Sequence, residues 1–289
     1  MEFNIKLSEV LNVQNDEEAI THGGIFHADD VFATALLKIV KPDIRIKRVI
    51  EVPESFDGLI YDIGFGEYDH HQADKRAREN GTLYAAFGLL WEKLGPAIVG
   101  NEIAERIDNA FVSKIDFSDN TGRKNLLSDA ISALNPSWNE DVSVDERFEE
   151  AVEFAKKILE RKIENEINNE AARDYVMEKY NTSIDNCVVL DKGMPWKSVL
   201  IGTDTEFVIY PSVRGGYMLQ TVPSSEEDYS PVVALPKEWY GIEKEQLRKV
   251  SGVESITFCH ATGFVASAEK LSDIWKMIGI AKIYQGVVK

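Results

Sequence analysis

Over its first half the chain alternates two hydrophobic periods, and few architectures accept that alternation. "EAITHGG" is a short apolar run entering a glycine turn, and "DDVFATALLKIV" follows it with Ala33, Leu36, Leu37 and Val40 on one helical face. "IRIKRVIEV" and "GLIYDIG" return to strand character. "TLYAAFGLLWEKLG" and "NEIAERIDNAFVSKI" return to helix, the second aligning Ile103, Ile107, Ala110 and Phe111. Strands separated by helices pair in parallel, because a parallel neighbour cannot be reached through a tight hairpin. An α/β unit with a mainly parallel sheet flanked by helices is therefore expected. "ALNPSWNEDVS" breaks the pattern at Pro136. From Val144 to Tyr180 a long charged helix carries a narrow stripe of Phe148, Val152, Ala155, Leu159 and Ile163. Short strands then follow ("NCVVLD", "SVLIG", "EFVIYPS", "GYMLQTV", "ESITFCH"), with "AEKLSDIWKMIGIA" as a closing helix, the pattern of a smaller α+β domain. The expected organisation is residues 1–143, a connector helix over 144–181, and 182–289.

Composition narrows the function classes. The net charge is −17, the reverse of the basic footprint of a general nucleic-acid binder; a polyanion would have to be held locally, by metal ions and a few cations. No apolar run approaches a membrane span. The opening "MEFNIKLSEV" has neither signal-peptide nor transit-peptide character, so a cytoplasmic protein is expected. Two cysteines, Cys187 and Cys259, are too few for a disulfide framework or a thiolate zinc site.

The chemistry is concentrated in histidines. Four of the five histidines fall between positions 22 and 71, each near a carboxylate. "THGGIFHADD" brings His22, His27, Asp29 and Asp30 to the junction of a strand and a helix, where parallel sheets form their sites. Asp62 ends "GLIYD". Asp69, His70 and His71 follow a glycine-rich approach, and Asp116 and Asp119 lie in "SKIDFSDN", expected just past a helix end. Nitrogen and oxygen donors without thiolates suit Mn²⁺, Mg²⁺, Co²⁺ or Zn²⁺. Two such ions sharing a carboxylate would activate a water and clamp a phosphoryl oxygen. One histidine of the doublet would ligate a metal while the other faces the substrate. No glycine-rich phosphate loop and no cysteine or serine nucleophile is apparent.

The ordered set "THGGIFHADD", "YDIG…YDHHQ", "IDFSDN", "LNPSWN", "GMPWK" and "FCHATGFVAS" resembles the Myg (melanocyte-proliferating-gene) family, once described as metal-dependent protein hydrolases and related to the DHH phosphoesterase superfamily. The resemblance implies a DHH-like catalytic domain and a 3′–5′ exonuclease acting on RNA with two divalent ions, Mn²⁺ or Mg²⁺. It implies His22, His27, Asp29, Asp62, His70 and His71 as metal ligands, with Asp62 bridging and Asp116 or Asp119 last. His70, His71 and Asp62 would be the catalytic residues. Arg214, His260 and Gly263 would grip a phosphate or terminal nucleotide in a cleft between the domains, helped by Lys197 and Arg123. Trp196 would either stack a base or pack in the core. Where many members carry Cys-Asp-Glu, this chain has Ala28-Asp29-Asp30. RNA or an oligonucleotide is the expected partner, no membrane is, and the long helix hints at a homodimer. Two alternatives stand beside this one: a phosphoesterase for a small molecule, and a non-enzymatic, metal-stabilised binding protein.

Overall fold

The computed structural model describes residues 5–225 and 227–288; the first four residues of the opening "MEFNIKLSEV" lie outside them. The chain divides into two compact units, Met1–Ile167 and Asn168–Lys289.

The first unit opens with a single helical turn, α1 (Leu7–Val10), and is built on β1 (Glu18–His22), α2 (Ala28–Val40), β2 (Arg45–Val49) and β3 (Leu59–Ile60). The strands form one parallel sheet in the order β2-β1-β3. β1 is central and its middle three residues are buried, as the uninterrupted "AIT" run requires of a strand covered on both faces. α2 crosses over from β1 to β2. Packed against α3 (Ala86–Val99), it is buried on nearly every side, which explains its almost continuous apolar sequence.

The run expected as one helix over "NEIAERIDNAFVSKI" is interrupted. α4 (Asn101–Ile107) passes through a π-helical turn, Asp108–Val112, before α5 (Ser113–Thr121). The extra residue of a π-turn rotates the face of everything after it. "SKIDFSDN" is therefore inside α5 rather than beyond a helix end. α6 (Leu126–Ser132) follows, its first turn capped by the Asn125 side chain accepting from Leu127 N and Ser128 N.

α7 (Val144–Asn181) is one continuous helix. Its stripe Phe148, Ala151, Val152, Ala155, Leu159 and Ile163 is sealed into the core of the first unit, whereas Val176 belongs to a core cluster of the second. The division between units falls within this helix and not at its ends.

The second unit holds a five-stranded sheet in the order β4-β5-β6-β8-β7. It comprises β4 (Cys187–Val189), α8 (Lys197–Leu200), β5 (Phe207–Pro211), β6 (Tyr217–Thr221), α9 (Lys244–Ser251), β7 (Ile256–Cys259), β8 (Val265–Ala268) and α10 (Leu271–Val288). β4 and β5 run parallel and the remaining pairs antiparallel. "SVLIG", expected as a strand, is the turn of α8 instead: Val199 and Leu200 donate back to Trp196 O and bury beside it. So short an apolar run does not reveal its period. "VASA" supplies the strand that was not foreseen.

Candidate metal centre

The parallel register assembles the site. Ile20 pairs with Ile60, so the carboxyl end of β1 carries His22 level with Asp62, just past β3. His22 Nε2 lies 3.3 Å from Asp62 Oδ2 and 3.2 Å from Asp30 Oδ2. Asp30 Oδ1 accepts the His27 N–H at 2.9 Å and fixes the first turn of α2. Asp62 has a φ of 55°, in the left-handed region that aspartate tolerates at a cost, and strain of this kind gathers at working sites. Its N–H donates to Tyr68 O at 3.0 Å, closing the loop that leads to the histidine doublet. Within that loop Gly64 (φ 86°) has no room for a side chain: a Cβ would stand 2.9 Å from Val52 Cγ2.

Asp69 explains why an aspartate precedes the doublet. Its carboxylate accepts from Phe65 N at 2.7 Å and His71 N at 3.1 Å, and it faces His71 Nδ1 at 2.6 Å. A carboxylate only accepts, so the His71 proton sits on Nδ1 and the lone pair is left on Nε2. The two imidazoles divide by exposure. His70 is buried, with Nε2 at 3.1 Å from Asp62 Oδ1, 3.4 Å from Asp119 Oδ2 and 3.5 Å from Asp29 Oδ2. The His71 side chain is 55% exposed.

The approaches of His22 Nε2 and His70 Nε2 to these aspartates are not aligned as hydrogen bonds. Both oxygens of Asp29, Oδ2 of Asp30, Oδ1 of Asp62 and Nδ1 of His70 are out of solvent with no partner. An unpartnered buried charge costs several kcal/mol, on the order of 3–5 when one member of a pair is missing. Burial, and after it the Asp62 and Asp119 carboxylates, hold Asp29 well above the ordinary carboxylate range. Burial opposes charge on His22 as well, but Asp30 and Asp62 outweigh it and push its pKa up to about 10. Ligand atoms converge in three groups, each within 4.8 Å: Asp62–His70–His71, His22–Asp30–Asp62, and His27–Asp29–Asp119. Asp62 is common to two of them. Oxygen and imidazole donors, several of them buried and unsatisfied, fit divalent cations of the Mn²⁺, Mg²⁺ or Zn²⁺ type.

Asp116, expected first as the last ligand, is engaged elsewhere. Arg78 Nη2 donates to its Oδ2 at 2.8 Å and Gly88 N to its Oδ1 at 3.2 Å. Arg78 also forks onto both oxygens of Asp108 at 2.6 Å. Burial works against the guanidinium, but Asp108 and Asp116 overcome it and hold Arg78 charged well above its usual value. Asp119, one turn further along α5, turns to His70 and Asp29 instead. Asp30, absent from the expected ligand set, joins His22. Arg78 was not foreseen; it lies far from its partners in sequence and no local pattern marks it.

His70, His71, Asp62 and Asp119 line a cleft of about 520 Å³, with Lys75, Arg123 and Lys124 also on its walls. The remaining expected substrate residues belong to the second unit, on three separate segments. Lys197 opens α8 and Arg214 is exposed in the β5–β6 turn. His260, in the β7–β8 turn, has Nδ1 at 2.8 Å from Thr262 Oγ1. Gly263 lies beneath the Tyr240 ring, where a Cβ would come within 2.0 Å. Of the two readings of Trp196, the structure has the core: it is buried among Val188, Leu200, Val208 and Val222.

The fold and this centre define an α/β protein with a histidine–carboxylate cluster suited to divalent cations. A profile of the MYG1 exonuclease family, described as "Uncharacterised protein family (UPF0160)", matches residues 18–281, and the chain belongs to that family. It is 28% identical over 303 residues to the MYG1 exonuclease of Rattus norvegicus, covering 85% of this chain and 79% of the rat protein. The Homo sapiens MYG1 exonuclease is also 28% identical, over 85% of this chain and 80% of its own length. The Saccharomyces cerevisiae MYG1 protein is 24% identical, over 92% and 96%. Among solved structures, RecJ of Thermus thermophilus in complex with Mn²⁺ aligns with 97% of this chain and 53% of its own, at 14% identity and a TM-score of 0.31. That likeness is too slight to bear on function. No helix among the described residues is long and apolar enough to cross a membrane.

Proposed function

We propose that this chain is a divalent-metal-dependent phosphodiester hydrolase of the cytoplasm, a 3′–5′ exonuclease on RNA or short oligonucleotides. The observation that carries the reading is Asp62: one carboxylate shared by two converging ligand groups, with an oxygen buried and unpartnered. The relatives named MYG1 exonuclease support the same class. His22, Asp30, Asp62, His70 and His71, together with the group His27–Asp29–Asp119, would hold the ions. Divalent cations held by these residues would supply an activated water and positive charge for a phosphoryl oxygen.

The protein's own side chains do the rest. Asp69 keeps a proton on His71 Nδ1, so Nε2 of the exposed ring at the cleft would ligate an ion or, when it carries a proton itself, donate to the substrate phosphate or the departing oxygen. His70, enclosed by three aspartates, positions their oxygens. Arg123 supplies positive charge at the cleft wall. Arg214, His260, Gly263 and Lys197, all in the second unit, are proposed as substrate-binding residues. The test is hydrolysis of labelled RNA, DNA and small phosphoesters with Mn²⁺ or Mg²⁺. Metal-dependent release of mononucleotides from RNA 3′ ends is expected, and no turnover of any phosphoester would discard the reading. The acidic charge of −17 and the cleft's modest volume favour a second reading, hydrolysis of short oligonucleotides or other small phosphoesters. Activity that falls as RNA lengthens would select it.

A further inference from the structure

The cleft is chemically two-sided. Its lining joins Asp62, His70, His71 and Asp119 of the histidine–aspartate cluster to three cations, Lys75, Arg123 and Lys124. Several cations elsewhere in this acidic chain are paired with carboxylates, as Arg48 is with Asp145, Arg76 with Glu92 and Lys41 with Glu17. Among the described residues no carboxylate stands within ion-pairing distance of these three. Lys75 Nζ donates instead to Asn120 Oδ1 at 3.0 Å, and the Arg123 guanidinium lies 5.6 Å from the Phe117 ring.

Their setting is fixed, although the side chains are exposed. Asn120 donates to Tyr84 O and Asp116 O, each at 3.1 Å, so the acceptor for Lys75 is anchored at two points. Arg123 follows the αL residue Gly122 that ends α5, and its N–H is held by Thr121 Oγ1 at 3.3 Å. Arg123 lies four residues beyond Asp119, just past the end of α5, and both line the cleft. Ser128 lines the same cleft, and its hydroxyl is out of solvent without a hydrogen-bond partner. Asp129, which also lines the cleft, is exposed.

We propose that Lys75, Arg123, Lys124 and the Ser128 hydroxyl form a subsite for a second phosphate, next to the one that is cleaved. This rests on the hydrolase reading of the same cleft and adds a substrate class to it: nucleotides whose scissile phosphodiester has a phosphate neighbour, in preference to an isolated diester. Carboxylates in the lining repel a polyanion, and three cations free of carboxylate partners in the same lining offset that repulsion where the adjacent phosphate passes.

The experiment compares equilibrium binding of ApA, pApA and ApAp to the full-length protein in Ca²⁺, with hydrolysis of the same three in Mn²⁺ measured alongside. Wild type is expected to bind pApA or ApAp at least tenfold more tightly than ApA, the preferred isomer showing on which side the subsite lies. Arg123→Ala with Lys124→Ala should bring the three ligands within about twofold of one another. It should also reduce the slope of log affinity against log salt by roughly 0.7 for each phosphate that the variant no longer neutralises. Lys114→Ala with Lys249→Ala removes the same charge from exposed positions outside the cleft wall and should keep the preference. Equal affinity of wild type for ApA, pApA and ApAp overturns the subsite, as does an equal collapse in the control pair. The two readings fail separately: hydrolysis without a phosphate preference removes only the subsite. A preference without hydrolysis of any of the three removes only the phosphodiesterase.

Discussion

Asp62 and Asp116 are both buried carboxylates of the first unit, yet they are buried in opposite ways. Asp116 is surrounded by donors: a guanidinium on one oxygen, a backbone amide on the other. Asp62 is surrounded by acceptors and by imidazoles that approach without bonding, and one of its oxygens has no partner. Each arrangement satisfies a different demand. A charge that must stay put is met by an opposite charge supplied by the chain. A charge that must receive something from solution is left short of one. Burial alone does not separate a structural carboxylate from a ligand; the identity of its neighbours does.

Substitutions at the two centres should therefore diverge. The largest effect is expected from Asp62→Asn, which should abolish metal-dependent hydrolysis while circular dichroism stays that of wild type; unaltered turnover would dismiss Asp62 from the mechanism. Arg78→Met comes next, destabilising by about 3–5 kcal/mol in urea unfolding because Asp108 and Asp116 lose their shared cation. A loss under about 1 kcal/mol would show the triad to be dispensable and erase the contrast. Mn²⁺ at a hundred times its dissociation constant should stabilise wild type by about 2.7 kcal/mol, through binding to the native state alone. An Asp62→Asn protein whose melting temperature rises as much on Mn²⁺ addition would place the ions elsewhere.

Asp119→Asn should weaken metal binding by about 10–100-fold, on the scale of outer-sphere and ligand losses in metal sites. Asp116→Asn should lower stability and leave the metal stoichiometry of the folded fraction intact; the reverse outcome, read by titration calorimetry, would exchange the roles given to the two residues. The smallest effect concerns the metal-free protein. There burial opposes the Asp62 charge but His22 and His70 outweigh it and hold the carboxyl below its usual range, so Asp62→Asn should lower stability by about 0.5–2 kcal/mol. A metal-free variant more stable than wild type would mean that the two imidazoles do not compensate Asp62.

What could be read from the sequence follows the same division. His22, Asp29 and Asp62 are legible because they fall at strand ends and a helix start, and short-range period marks those places. His70 and His71 are legible as a doublet, although the part played by Asp69 in orienting His71 needs the loop to be closed. Asp116 and Asp119 could not be told apart. Their difference depends on α5 being helical through both and on the π-turn that sets its rotation. It depends too on Arg78, which reaches Asp116 from 38 residues away in sequence. The parallel sheet of the first unit was evident from alternation, whereas α8 and β8 rest on four-residue runs whose surroundings decide their shape.

Gly88 has a consequence for how this family can vary. It sits in the interior of α3, where glycine costs about 1 kcal/mol relative to alanine. A methyl group there would fall 1.8 Å from Asp116 Oδ2 and 2.7 Å from Arg78 Nη2. The helix thus carries a permanent notch cut to the outline of an ion pair. Lineages that fill the notch must surrender the aspartate in the same step, so positions 78, 88 and 116 should drift together or not at all.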